Sequence, residues 1–482
     1  MSFCIFTLLI VGTRLVVSSR LLFDIPGPPL KEFMGGNGSM TLSIQYWPRI
    51  GVSQGVCGLS VSKHSTLHLR AHNSRALIAI TILNKAIKHL LLKPRPRATP
   101  QLIESRGFQP ETHTITTADG YILRVFRIVN RQLRNSGRRL RPRPLVLWHG
   151  VAVTSDSWLF STIGAIDNRG LYRENNGILN DCDRNVTSTL AFTLSACGYD
   201  VWLPNTRGTH YSQDHITLNS NRDSRYWQFT LTEMAVYDIP AVVRYILQIT
   251  NSDSVSYIGH SLGTAQMFAL LSLVPDFEQF IKPFIALAPI AYLGHIESIG
   301  RLGVPLEPIL RSFPGPLGIP VPIAQIIGIF VCGNELLVNL CADIFYAING
   351  YDAQNFNRSI VPIDAAHSGA SVSTWVYAHL AQLVVNKCFR QFDYGITQNR
   401  RHYGQATPPS YPLCNITSRN IALFRGLNDL LADNMDVSLL VQQLSVPLLD
   451  NYIVPDPKWN HQDFQLGTYQ GYFVNERVLG PK

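Results

Sequence analysis

Apolar and polar residues alternate over residues 112–117 and again over 121–128, with Ala118-Asp119-Gly120 between them, which predicts a β-hairpin closed by a tight turn. Further along, the alternation gives way to unbroken apolar runs: Pro144-Leu145-Val146-Leu147-Trp148, Val201-Trp202-Leu203, residues 255–258, Phe284-Ile285-Ala286-Leu287-Ala288 and Ile421-Ala422-Leu423-Phe424. Short apolar runs with no polar face fit strands buried on both sides. Helix-prone segments separate them, at 188–197, 233–249 and 267–273. Strands alternating with helices predict an α/β fold with a mostly parallel sheet covered on both faces. Between about 292 and 415 that rhythm stops and Pro-rich, helix-rich sequence takes over, which predicts a mainly helical cap or lid inserted into the sheet domain. The expected organisation is an N-terminal segment of unassigned role (1–98), a first part of the sheet domain (99–291), the cap insertion (292–415) and a second part of the sheet domain (416–482).

Residues 3–12 are apolar over the length of a signal-peptide core and too short to span a bilayer before Arg14 interrupts them. A signal peptide within 1–20 is therefore expected, and a transmembrane segment is not. The formal net charge of +9 belongs to the same end of the chain: residues 1–98 hold 12 of the 41 Lys and Arg and 2 of the 32 acids, leaving 29 basic against 30 acidic residues in 99–482. A near-neutral main domain gives no ground for a nucleic-acid partner. With 46% hydrophobic and 15% charged residues the chain is a folding one, not a disordered one. Its eight cysteines include no C-x-x-C pair and no zinc-ligand spacing, and H-E-x-x-H is missing, so neither a metal nor another cofactor is expected. Sequons occur at Asn37, Asn185, Asn357 and Asn415, and the last three are glycosylation candidates if the chain enters the secretory pathway.

Candidate chemistry centres on Gly259-His260-Ser261-Leu262-Gly263, where the apolar run at 255–258 meets a helix-prone segment. A G-x-S-x-G pattern arises by chance in about one chain of this length in six, so its setting decides. Here a strand precedes it and a helix follows, the setting of a nucleophile elbow: a sharp turn lifts the serine oxygen clear of the main chain, and glycines on both sides permit the close packing this needs. A serine hydroxyl attacks an ester only when a base takes its proton, and on an α/β-hydrolase fold the acid and the histidine come later, in that order. Asp429 lies in the loop after the run ending at Phe424, and His461 lies near the C-terminus, whereas His402 precedes the acid. Asp433 and Asp436 fall in the next helix and read as capping or surface charges. The triad expected is Ser261, Asp429 and His461, with an oxyanion hole formed by the main-chain N–H groups of Leu262 and of Val151 in the His149-Gly150-Val151 turn.

The set His149-Gly150, residues 198–203, Asn205-Thr206-Arg207-Gly208, residues 233–240, Gly259 to Gly263, Leu287-Ala288-Pro289, residues 429–433 and 460–464 resembles the acid lipase family of gastric and lysosomal lipases. The likeness runs from about 100 to 470 and takes in residues 350–357 and 398–403 of the cap. It implies a capped α/β-hydrolase acting on triacylglycerols or steryl esters at a lipid–water interface, secreted or lysosomal. It also implies a disulfide between Cys332 and Cys341 and a lid over residues 314–331. Three departures stand out: Leu262 where the family usually carries Gln, an extra stretch at about 163–183, and residues 1–98, which match nothing in the family. Two other readings of the same residues are a catalytically silent lipid-binding protein and an acyltransferase.

Overall fold

The structure, a computed structural model, describes residues 97–480 apart from 138–140, 142 and 184, together with the backbone of three short strands nearer the N-terminus. The chain divides into two compact units, Ser2–Pro94 and Arg95–Lys482. In the first, β1 (Phe33–Gly35), β2 (Ser39–Ser43) and β3 (Thr66–His68) form an antiparallel sheet in that order. The expected signal peptide and Asn37 lie outside the described residues.

The second unit opens with helix α1 (Thr99–Ser105) and the predicted hairpin, β4 (Gln109–Thr116) and β5 (Tyr121–Val129), paired from Gln109 opposite Val129 to Thr116 opposite Ile122. Then come β6 (Pro144–Trp148), β7 (Gly164–Ile166), β8 (Tyr172–Glu174), α2 (Leu190–Ala196), β9 (Asp200–Pro204), β10 (Asp214–His215), α3 (Ile239–Thr250), β11 (Val255–His260), α4 (Leu262–Leu273) and β12 (Ile281–Leu287). The main sheet has the order β10-β5-β9-β6-β11-β12-β15-β16 with β4 on the outer side of β5, where β15 is Ile421–Arg425 and β16 is Asp450–Ile453. From β9 to β16 every neighbouring pair is parallel. The apolar runs are its central strands, and all residues of β6 and β11 are buried, as a sheet covered on both faces requires. Helix α3 buries Ile239, Val242, Val243 and Ile246, one stripe at three- to four-residue spacing. Helix α4 is buried at every position from Leu262 to Ser272, which is why its sequence shows no polar face.

β16 was not legible as a strand: Asp-Asn-Tyr-Ile offers no apolar run, because it forms the half-exposed edge of the sheet. The extra stretch folds as the β7–β8 hairpin, its Tyr172 ring packed between Phe108 and Phe192, and a disulfide from Cys182 to Cys197 ties it to the end of α2. That disulfide was not expected from the sequence.

β12 and β15 are hydrogen-bonded neighbours, Phe284 opposite Ile421 through Leu287 opposite Phe424, yet the chain leaves the sheet between them from residue 288 to residue 420. This excursion contains the two-residue strands β13 (Pro316–Leu317) and β14 (Val372–Ser373), paired antiparallel, and the helices α5 (Val321–Ile326), which continues through a wider turn to Cys332, α6 (Val338–Asn349), α7 (Val361–His367) and α8 (Thr374–Asn386). It has a small core of its own around Cys332, Ala342, Tyr346, Phe356 and Val361, and the disulfide between Cys332 and Cys341 forms. Helix α9 (Asn434–Gln443) follows β15. Among the described residues no helix is long and apolar enough to cross a membrane.

Candidate active site

Ser261 follows the last residue of β11 and precedes the first of α4, with φ 53° and ψ −120°. A non-glycine residue in this region carries strain, about 1–3 kcal/mol, that its surroundings must hold in place. The flanking glycines show how. A Cβ on Gly259 would lie 2.9 Å from the Gly263 carbonyl carbon, and one on Gly263 would lie 2.8 Å from the Trp148 carbonyl oxygen. Both positions exclude side chains, so strand and helix close tightly enough to project the serine side chain outward. The Ser261 N–H donates to Leu287 O at 3.1 Å, tying the elbow to the end of β12.

Asp429 and His461 arrive on the loops after β15 and β16. Their side chains meet: His461 Nδ1 is 2.9 Å from Asp429 Oδ2 and 3.0 Å from Oδ1, and both residues are buried. The carboxylate is aimed by its own loop, since Asp429 Oδ1 accepts from Leu431 N at 2.9 Å and Ala432 N at 2.7 Å. The histidine loop is held against the elbow by His260, whose Nε2 donates to the His461 carbonyl at 2.9 Å, the two rings lying 4.9 Å apart. Burial pushes the His260 imidazole well below its ordinary pKa, so it stays neutral and serves as a fixed donor. Within the serine motif no sequence signal marks His260 for this bond, because its acceptor is a main-chain carbonyl 201 residues away.

The turn after β6 closes over the elbow. A Cβ on Gly150 would lie 3.2 Å from both Ser261 Cβ and His260 Nδ1, so a side chain there would push the turn back by a few tenths of an ångström. His149 shapes it, donating from Nδ1 to Gly150 O at 2.8 Å and accepting at Nε2 from Thr206 N at 3.1 Å, a neutral tautomer consistent with a pKa that burial lowers to about 4. Leu262 is the first residue of α4, where a main-chain N–H has no intrahelical acceptor. Val151 follows the glycine that touches the serine.

Other groups bear on the site. Asp463 and Asp352 are fully buried beside the histidine loop, and Asp463 Oδ2 accepts from Asn460 N at 2.8 Å. Asp433 caps α9, accepting from Met435 N, as expected; Asp436 is buried rather than on the surface, held by His295 at 2.8 Å. Among the described residues His295, Asp433 and Asp436 bring three ligand atoms within 4.8 Å, yet the cap and the His–Asp contact already occupy them. Asn185, Asn357 and Asn415 are exposed.

Comparison with known proteins follows the same outline. Residues 99–162 match the partial α/β-hydrolase lipase region and residues 164–299 the α/β-hydrolase fold. The chain is 35% identical over 371 residues to a gastric triacylglycerol lipase of Bos taurus, covering 76% of this chain and 85% of that one. It is 33% identical over 374 residues to lipase member K of Homo sapiens, covering 76% and 86%. Against the lysosomal acid lipase/cholesteryl ester hydrolase of Homo sapiens the identity is 32% over 384 residues, covering 79% and 89%.

Proposed function

The chain belongs to the acid lipase family of gastric and lysosomal lipases, and from that membership we propose that it hydrolyses neutral-lipid esters, triacylglycerols or steryl esters, through an acyl-enzyme on Ser261. The observation that carries this reading is the Asp429–His461 pair at 2.9 Å on loops leaving the sheet edge where the Ser261 elbow stands. With Nδ1 donating to Asp429, the imidazole keeps its Nε2 lone pair for the serine proton. Ser261 Oγ attacks the ester carbonyl while Nε2 takes that proton, and the oxyanion that forms accepts from the Val151 and Leu262 N–H groups. The protonated histidine returns the proton to the departing alcohol. Water, deprotonated by the same nitrogen, then releases the fatty acid and restores the serine.

Residues 292–415 act in this reading as the cap, with the lid at 314–331. Support for an interfacial cap comes from apolar side chains that residues 292–415 leave in solvent on either side of 314–331, Leu302 at 70%, Phe313 at 71% and Leu336 at 89% exposure. A secreted or lysosomal location fits the two disulfides and the exposed sequons.

The test is hydrolysis of emulsified triacylglycerol and cholesteryl ester from about pH 4 to about pH 8, with Ser261→Ala as control. Wild-type protein should release fatty acid from at least one substrate, and the variant should fold yet lose several orders of magnitude in rate. An organophosphonate that labels a serine other than Ser261 would sink the assignment.

A further inference from the structure

The segment that leaves helix α6 runs between the acid loop and the histidine loop and is bonded to both. The Asn349 carbonyl, last in α6, accepts from His461 N at 3.2 Å and from Leu430 N at 3.4 Å. One oxygen thus binds the residue after the acid and the histidine itself. The Gly350 carbonyl accepts from Asn460 Nδ2 at 3.0 Å, and the Tyr351 carbonyl from Asn428 Nδ2 at 2.9 Å. The same Asn428 amide reaches Lys458 O at 3.1 Å, and Asn428 N donates to Trp459 O at 3.2 Å, so the two loops are also laced to each other. Gly350 sits at φ 118°, and a Cβ there would lie 2.0 Å from the Asn428 carbonyl oxygen. Any side chain at 350 must drive the strap away from the acid loop.

We propose that residues 349–351 are positioning residues for the Asp429–His461 pair, so that the inserted segment does more than cover the site: it sets the geometry of the groups that activate Ser261. The proposal rests on the hydrolase reading above. Its physical basis is that three consecutive carbonyls take four hydrogen bonds from the two loops, and neither loop has a helix or strand of its own at these positions. A rigid arm is available to set them, because α6 is pinned four residues into its length by the Cys332–Cys341 disulfide and buries Ala342 and Tyr346 in the core of the insertion. A shift of the insertion is therefore transmitted to the imidazole. A misplacement near 1 Å in a catalytic group costs on the order of 100-fold in rate.

The experiment compares wild-type protein with Gly350→Ala, which forces the strap outward, and with Asn428→Ala, which deletes the amide tying the strap to both loops from a partly exposed position and leaves the core intact. Three quantities are read: kcat and KM on a soluble short-chain ester, the thermal midpoint, and the downfield proton resonance of a His Nδ1–H shared with a carboxylate. Both variants should lower kcat on the order of 10- to 100-fold with little change in KM, and should broaden or shift the resonance while Asn428→Ala keeps its thermal midpoint. Wild-type kcat and an unmoved resonance in both variants would overturn the proposal, as would losses that only follow loss of the fold. If wild-type protein cleaves no ester, the hydrolase reading fails, and the resonance in the two variants still decides whether the strap positions the pair.

Discussion

Ser261 accepts a strained main chain, φ 53°, because two glycines and the end of β12 leave its segment no other path. A second residue near the site spends stability in a different way. Asp463 is fully buried, burial holds its carboxyl well above the ordinary carboxylate range, and the neighbouring Asp352 raises it further. An unfolded Asp releases its proton near pH 3.8, while the folded chain keeps it to higher pH. The native state then holds the extra proton above that point, so this residue's stabilisation is complete in acid and is lost as pH rises towards the raised folded value. Asp463→Asn, which cannot titrate, should therefore gain stability relative to wild type as pH increases above about 4, by up to roughly 1.4 kcal/mol per pH unit. Thermal midpoints of the two proteins across pH would show the gap widening; a gap that narrows with rising pH would contradict the assignment. The buried histidines work in the opposite sense. Burial lowers His149 and His379 to about 4, so their contribution is complete above 6.5 and is lost as pH falls. They are common to both proteins and cancel in the comparison.

Among elements, the stretch 314–331 shows how much pattern alone can say. Its prolines rule out one long helix, and the chain divides there into the two-residue strand Pro316–Leu317, a link in which Ile319 N donates to Gly369 O, and α5 with its continuation to Cys332. Which face is buried was not legible. Gly328 faces α7 so closely that a Cβ would lie 2.6 Å from Ala366 Cβ, while Ile326 is 40% exposed on another side. That division makes the lid role testable: Ile326→Ser with Ile329→Ser should weaken hydrolysis of an emulsified long-chain ester far more than that of a soluble short-chain one. Equal losses on both would make the helix part of the packed cap. The disulfides divide likewise. The pair at 332 and 341 was expected by resemblance, whereas the Cys182–Cys197 pair depends on where the β7–β8 hairpin docks. Closing its 15-residue separation stabilises by about 3 kcal/mol in a chain-entropy argument. Cys182→Ser with Cys197→Ser should lower the unfolding free energy by a comparable amount in denaturant titration, and an unchanged midpoint would show that the hairpin docks without it.

At the level of the molecule, the unit Arg95–Lys482 contains the whole candidate site and both matched family regions. Its first helix is anchored within the unit: Thr99 N donates to Tyr211 Oη at 2.9 Å, and Thr99 Oγ1 reaches Ser155 Oγ at 2.7 Å and also the Asp156 carboxylate. A chain beginning at Arg95 behind a foreign signal peptide should therefore fold, be secreted and hydrolyse the same ester as the full-length chain. An insoluble or inactive product, with the full chain active, would assign residues 1–94 a structural part.

The local chemistry of this chain determined its central strands, its elbow and the order of acid and histidine. Buried parallel strands must be apolar throughout, and a serine on a sharp turn needs glycines where backbones touch, so both leave marks at fixed spacing. The tertiary structure alone decided what depends on contact between distant segments: β16 on the sheet edge, the Cys182–Cys197 pair, the His260 bond to His461 and the strap from α6. The His260 bond and the strap end on main-chain carbonyls, which every residue carries, so no pattern of side chains announces where such a carbonyl will find its donor, and the disulfide and the edge strand depend on which distant segments dock.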